Sequence, residues 1–155
     1  MTGAAAGEVD ILLVEDNSDD EELMLHSLSA GGAPRVEVVH DGAEALEYLH
    51  ASGRHAFRRG QPLPRVIVLD IRLPRLDGLE VLAEVKTDSN LRHIPVVIFT
   101  SAGQKGEMVR GYKLGANSYV VKPVDFERFE DTVRQLSSYW VRLNRGPGGW
   151  LQPSG

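Results

Sequence analysis

The chain has 155 residues, 42% of them hydrophobic and 25% charged, with a net charge of −5 and no cysteine. That is enough for one globular domain with a real core and too little for two ordinary ones. The missing cysteines exclude disulfides, thiolate chemistry and cysteine-ligated zinc and fit a reducing, cytoplasmic compartment, while the acidic balance argues against direct nucleic-acid binding. Met1 to Gly7 carry neither the basic start and apolar run of a signal peptide nor the length of a membrane span, so no membrane role is expected.

Val9 to Val14 reads as a first strand that exits onto Glu15 and Asp16. Asn17 or Ser18 caps the next helix, and its first turn is loaded with Asp19, Asp20, Glu21 and Glu22, which suits the positive end of the helix dipole. Those four acids are read as a solvated helix start. Glu15 and Asp16 differ because they stand at a strand exit. Leu25 and Leu28, with Leu23 and Met24 beside them, form the apolar face, and Gly31, Gly32 and Pro34 stop the helix. Arg35 to His40 alternates around Val36, Val38 and Val39 as a second strand. Asp41-Gly42-Ala43-Glu44 has the spacing of a capping box before a helix that buries Ala45, Leu46 and Leu49. From Ala51 to Arg65 the glycines, prolines and basic residues Arg54, His55, Arg58 and Arg59 predict a solvated connection, longer than the usual ~4–6 residues. Phe57 is its lone aromatic, which is no stacking platform for a nucleic acid.

Val66-Ile67-Val68-Leu69-Asp70 organises the rest: four apolar residues, the signature of a strand buried on both faces, ending on a carboxylate. A charge there sits at the strand's open end, pairs with a cation, shifts its pKa, or caps a neighbouring turn. Ile71 to Gly78 is a loop, and a helix from about Gly78 places Leu79, Leu82 and Val85 at core spacing. Pro95 to Phe99 is a fourth strand, exiting onto Thr100 and Ser101. The helix of Lys105 to Leu114 contains Gly106 and Gly111, each costing ~1 kcal/mol against alanine, so it is expected to be the least rigid. Ser118 to Val121 is the fifth strand, exiting onto Lys122-Pro123. Asp125 then caps a helix whose stripe Phe126, Phe129, Val133, Leu136, Trp140 and Leu143 is spaced 3, 4, 3, 4, 3. Phe126 to Leu136 are expected in the core, with Trp140 and Leu143 free to reach a partner. The domain built from these elements spans residues 8–144, with 1–7 and 145–155 as flexible tails and no output domain.

Alternating buried strands and amphipathic helices make an α/β fold, a (βα)5 doubly wound five-stranded parallel sheet of order 2-1-3-4-5. In that order Glu15, Asp16 and Asp70 converge at the switch point, with Thr100 and Lys122 at the next two strand exits. Three carboxylates in one pocket repel one another, and a divalent cation relieves the repulsion; oxygen-only ligands suit Mg2+. The five histidines show no close ligand spacing, so zinc is not expected. Asp16, Asp70 and a backbone carbonyl can supply the protein's share of ligands. A carboxylate nucleophile, a metal, the Lys122 ammonium and the Thr100 hydroxyl together suit acyl-phosphate chemistry.

In these stretches the chain resembles the response-regulator receiver domain of two-component signalling, with its flavodoxin-like fold. The resemblance is carried by Leu12-Leu13-Val14-Glu15-Asp16-Asn17, Val68-Leu69-Asp70-Ile71-Arg72-Leu73-Pro74 with Asp77-Gly78, Phe99-Thr100-Ser101-Ala102 and Tyr119-Val120-Val121-Lys122-Pro123. It implies that Asp70 is the phosphoacceptor, charged by a phosphohistidine of a sensor histidine kinase. It implies a Mg2+ held by Asp16, Asp70 and the carbonyl of Arg72, with Glu15 helping. Lys122 contacts the phosphoryl group, Thr100 and Tyr119 form a switch pair, and Lys122-Pro123 is a cis peptide. The loop from Ala51 to Arg65 and the Ser138-Tyr139-Trp140 end narrow the resemblance to stand-alone regulators associated with bacterial phytochromes. Two departures stand out: Glu15 replaces the usual first aspartate, and Arg72 places a long cation near the acceptor, where it is expected to affect phosphoryl lifetime.

The resemblance implies a signalling protein, not an enzyme beyond its own phosphotransfer and autodephosphorylation. Its output surface is the fourth helix, fifth strand and last helix, where a homodimer would bury Tyr119 and Trp140. An alternative is a non-phosphorylated adaptor of the same fold that works by protein contacts alone; loss of Asp16, Asp70 or Lys122 would have favoured it. A phosphatase of the aspartyl-phosphate type needs a second aspartate two residues after the acceptor, where this chain has Arg72.

Overall fold

The computed structural model describes residues 8–30 and 33–147. Five strands, β1 (Ile11–Val14), β2 (Val36–Val39), β3 (Val66–Leu69), β4 (Val96–Thr100) and β5 (Ser118–Val121), pair in the order β2-β1-β3-β4-β5, every pair parallel. The helices α1 (Ser18–Ser29), α2 (Gly42–His50), α3 (Gly78–Thr87), α4 (Lys105–Lys113) and α5 (Phe126–Ser137) alternate with them. The order has its origin in composition. β1, β3 and β4 are apolar at nearly every position and buried throughout, as central strands must be; β2 and β5 carry polar residues and are only half-buried, which suits edges.

Side chains alternate across the sheet, so each central strand feeds two cores. Leu12, Val14, Ile67, Leu69, Val96 and Ile98 face one side, with Ala45, Tyr48 and Leu49 of α2 and Val81, Leu82 and Val85 of α3. Ile11, Leu13, Val66, Val68, Val97 and Phe99 face the other, against Met24 and Leu28 of α1 and Phe129 and Val133 of α5. Among the described helices, four start on a side-chain cap: Asn17, Asp41, Asp77 and Asp125 each accept a backbone N–H of the first turn. At α2 the reciprocal bond of the capping box reaches one residue further back, from the His40 N–H to Glu44 Oε1 at 3.4 Å. α4 starts at Gln104 with no side-chain cap.

Several expectations need correction. The last helix is α-helical only to Ser137; Ser138–Leu143 is a π-helical turn, closed by Asn144 N–H on the Tyr139 carbonyl at 2.6 Å. The widened turn rotates the apolar stripe. Trp140 packs against the α1–α5 core, Leu143 is exposed, and Tyr139, half-exposed, stands edge-on to the Trp140 ring. At the other end Phe126, expected in the core, is 57% exposed, because it opens the first turn of α5 and lines an open cleft with Leu23 and His26 of α1. The Lys122–Pro123 bond is trans, as no described peptide bond is cis; the isomers of an X–Pro bond differ by only about 0.5–1 kcal/mol, so local packing decides. The stop at Gly31 and Gly32 and most of the two tails lie outside the described residues.

The connection from Ala51 to Arg65 is not merely solvated. Ala51 and Gly53 turn the chain through the left-handed region at φ 52° and 53°. A 3-10 turn over Gly53–Arg58 then folds Arg58 back beneath α2. Its guanidinium lies 3.5 Å over the Tyr48 ring and donates to the Tyr48 carbonyl and, at 3.1 Å, to the Pro62 carbonyl.

The β3–α3 connection is held by two close backbone approaches. A Cβ on Gly78 would fall 2.3 Å from the Asp70 carbonyl oxygen, and one on Gly42 would fall 1.9 Å from that of Leu76. Arg75, left-handed at φ 67°, ion-pairs with the α2 cap Asp41 at 3.7 Å.

Candidate functional site

The carboxyl ends of β1, β3, β4 and β5 open on one edge of the sheet, and parallel pairing brings the exit residues of these strands side by side. β1 delivers Glu15, β3 delivers Asp70, β4 ends in Thr100 and β5 delivers Lys122. All four are buried, Glu15 to 1% exposure and Asp70 to 6%. Backbone bonds extend the sheet through them: Asp70 N–H donates to the Val14 carbonyl at 3.1 Å and Lys122 N–H to that of Thr100 at 2.8 Å.

Asp70 is addressed on both carboxylate oxygens. Thr100 Oγ1 donates to Oδ1 at 2.8 Å, the Arg72 N–H donates to the same oxygen at 3.0 Å, and Lys122 Nζ donates to Oδ2 at 2.8 Å. The Lys122 ammonium also donates to Glu15 Oε1 at 2.8 Å and to Asp20 Oδ2 at 2.7 Å. The Asn17 N–H donates to the other Glu15 oxygen at 3.1 Å. Burial pushes the Glu15 carboxyl up to about 7, against the pull of Lys122. Burial lowers the Lys122 ammonium, but its bonds to Asp20, Asp70 and Glu15 outweigh this and hold it above the ordinary lysine range.

The ammonium tests the pocket for a cation. Three carboxylates of this chain already converge on one positive centre, with no imidazole or thiolate among them, a donor set that fits a hard divalent ion such as Mg2+. Of the expected ligands, Glu15 and Asp70 belong to this cluster. Asp16 stands outside it, exposed at the strand exit. The Arg72 side chain pairs with Glu107 at the start of α4, 3.0 Å apart, and not with Asp70.

Tyr119 leaves β5 on the α4 side, and its hydroxyl donates to the carbonyl of Ala102, two residues beyond Thr100. Its ring lies under Gly111, where a Cβ would come within 3.3 Å of it and 2.9 Å of Ile98 Cδ1. The helix glycine that lowers the propensity of α4 therefore makes room for this ring. Burial, with Glu107 nearby, raises the Tyr119 phenol above its usual range.

Asp20 is the functional residue that sequence reasoning placed among solvated acids. The signal was the cap: with Asn17 as N-cap, Asp20 is the third helical residue, its N–H held by Asn17 Oδ1 at 2.9 Å, and a side chain there reaches back toward the strand exit. Elsewhere, the fold brings His50 within 3.8 Å of both Glu84 and Asp88, at the far ends of α2 and α3, which sequence spacing did not suggest. These exposed contacts are beyond hydrogen-bond length and are accounted for as ion pairs.

The model of the response regulator receiver domain matches residues 11–134. A probable methanogenesis regulatory protein, FilR2 of Methanothrix harundinacea, is 41% identical over 141 residues, 89% of this chain and 87% of that one. Among solved structures, the phosphorylated cyanobacterial phytochrome response regulator RcpA superposes with a TM-score of 0.84 at 34% identity, over 91% of this chain and 99% of that one. The bacteriophytochrome response regulator AtBRR is 47% identical with a TM-score of 0.69, over 89% and 99%. Receiver domains typically bind Mg2+ or Mn2+. Among the described residues no helix is long and apolar enough to cross a membrane. The chain belongs to the response-regulator receiver family of two-component signalling proteins, close to the phytochrome-associated regulators.

Proposed function

We propose that this protein is a phosphorylation switch in which Asp70 takes a phosphoryl group from the phosphohistidine of a sensor kinase, a bacterial phytochrome in the reading its neighbours favour. The carrying observation is the pair of donors on the acceptor, Thr100 on one oxygen and Lys122 on the other. An Asp70 oxygen attacks phosphorus as the phosphorus–nitrogen bond to the kinase imidazole breaks, and the imidazole leaves with the bonding electrons and takes a proton. Asp70, Asp16 and the Arg72 carbonyl, with Glu15 helping, would hold Mg2+, which supplies charge neutralisation for the transferring group. Lys122 Nζ and Thr100 Oγ1 then donate to phosphoryl oxygens. Movement of Thr100 changes the Ala102 carbonyl to which Tyr119 is tied, which makes this pair the switch.

Residues 8–144 are the working unit, acting in the cytoplasm. Output runs through the face of α4, β5 and α5, where Val109, Tyr112, Val121 and the fully exposed Val124 are apolar and accessible, in a homodimer or against a partner. Tyr119 edges this face; Trp140, engaged with the core, would contribute only through its exposed rim.

Intact mass after incubation with acetyl phosphate, with and without Mg2+, tests the reading. One added phosphoryl group that needs Mg2+ and is lost in Asp70→Asn is expected. No gain from acetyl phosphate or from phosphorylated kinase would leave the non-phosphorylated adaptor.

A further inference from the structure

The Lys122 cluster contains one carboxylate more than the strand exits supply. Glu15 and Asp70 form its buried floor, whereas Asp20 comes from the first turn of α1 and its side chain is 30% exposed, at the rim. All three ammonium protons are spoken for, at 2.8, 2.7 and 2.8 Å. One carboxylate would neutralise the lysine, so the cluster holds more carboxylates than the ammonium needs, and a second cation can use them. A divalent cation held by Asp70, Asp16 and the Arg72 carbonyl, with Glu15 helping, would draw on Asp70 and Glu15, two of the three carboxylates that Lys122 now holds. Without another anchor, metal and lysine would compete for these carboxylates, although phosphoryl transfer at Asp70 calls for both.

We propose that Asp20, the one Lys122 partner outside that ligand set, is a positioning residue that keeps the ammonium at the rim of the pocket while a divalent cation draws on Asp70 and Glu15, so that the two charges share the site. The proposal rests on the cation-binding reading above. Its geometry is prepared: the α1 cap fixes the Asp20 backbone, and the side chain needs no rearrangement to retain Nζ.

Mg2+ binding to the unphosphorylated protein, measured by calorimetry without any phosphoryl donor, tests it in the wild type, Asp20→Asn, Lys122→Met and the double variant. Asp20→Asn is expected to weaken Mg2+ by at least about tenfold. Lys122→Met should bind more tightly than wild type, its competitor being gone, and in that background Asp20→Asn should cost only the loss of a peripheral charge, about threefold or less. Asp20→Glu should recover most of the affinity. In the Mg2+-saturated wild type the 15N resonance of the Lys122 ammonium should remain protected, and in Asp20→Asn it should broaden away. An equal loss in both backgrounds would make Asp20 a direct partner of the metal and overturn the proposal, as would no loss in either. Absence of Mg2+ binding to both wild type and Lys122→Met would overturn the cation reading itself, and this proposal with it.

Discussion

Lys122 and Arg58 are both cations buried in this small domain, 9% and 3% exposed, and they are satisfied in opposite ways. Arg58 meets an aromatic face and two backbone carbonyls, with no carboxylate among its bonding partners. Lys122 meets three carboxylates and no carbonyl. Neutral acceptors fix a cation in place and ask for nothing more, which is what a connection needs in order to hold its shape. Surplus anions leave a site that is complete only when more positive charge arrives. Lys86 extends the comparison: it is half-buried, it caps the carbonyls of Arg92 and Ile94, and burial lowers its pKa, where the carboxylates raise that of Lys122.

The widest gap between the two kinds of cation should appear in phosphoryl acceptance. Lys122→Met removes a donor aimed at the transferring group and should slow acceptance from acetyl phosphate by about a hundredfold. The fold should survive, because Glu15 can take up a proton in place of the lost ammonium. Arg58→Ala should do the reverse: urea unfolding should show a loss of about 2–3 kcal/mol, from two stranded carbonyls and an uncovered Tyr48, with acceptance unchanged below the melting transition. A slowed acceptance in that variant would dissolve the distinction. Arg58→Lys sharpens it, since a point charge cannot span both carbonyls while stacking on the ring, and about 1 kcal/mol should be lost.

The smallest effect is one of pH. Lys86 has a lowered folded pKa, so the unfolded chain binds more protons than the folded one between that value and the ordinary lysine pKa, and stability contributed at this residue grows as pH rises through that window. Lys122, with a raised pKa, has the opposite sign: its contribution is full below the ordinary lysine pKa and is lost as the pH rises from there through the higher folded value. The stability difference between wild type and Lys86→Met, from urea titrations, should therefore change as the pH approaches the ordinary lysine pKa of about 10.4 from below, in the direction that favours the wild type as pH rises. A constant difference would place Lys86 in solvent.

The same contrast explains how much could be read from sequence. Asp70, Thr100 and Lys122 were legible because each closes or succeeds an apolar run, and a parallel sheet delivers its strand exits to one edge. The strand order was legible because β1, β3 and β4 are apolar almost throughout whereas β2 and β5 are mixed. Asp20 was hidden by its company: among four acids, only the phase set by Asn17 singles it out. Arg58 was hidden by its type, since arginine is rarely buried and no local pattern announces an aromatic face beneath it. Phe126 and Trp140 lie on one sequence stripe, but Phe126 opens α5 beside an open cleft, whereas Trp140 sits in the π-helical turn and packs on the core. The trans bond at Pro123 is set by surroundings to which a dipeptide motif is blind.

The two close backbone contacts of the β3–α3 connection, Gly78 on Asp70 and Gly42 on Leu76, have a mechanical meaning. They make that wall of the pocket stiff, since any displacement there drives backbone into backbone. The facing wall is compliant: it runs into α4, whose start is uncapped and whose Gly106 has open space around it. A load applied at Asp70 is not shared equally between two walls of unequal stiffness; the softer one takes the travel. A displacement at Asp70 is therefore expected to be taken up on the side of α4.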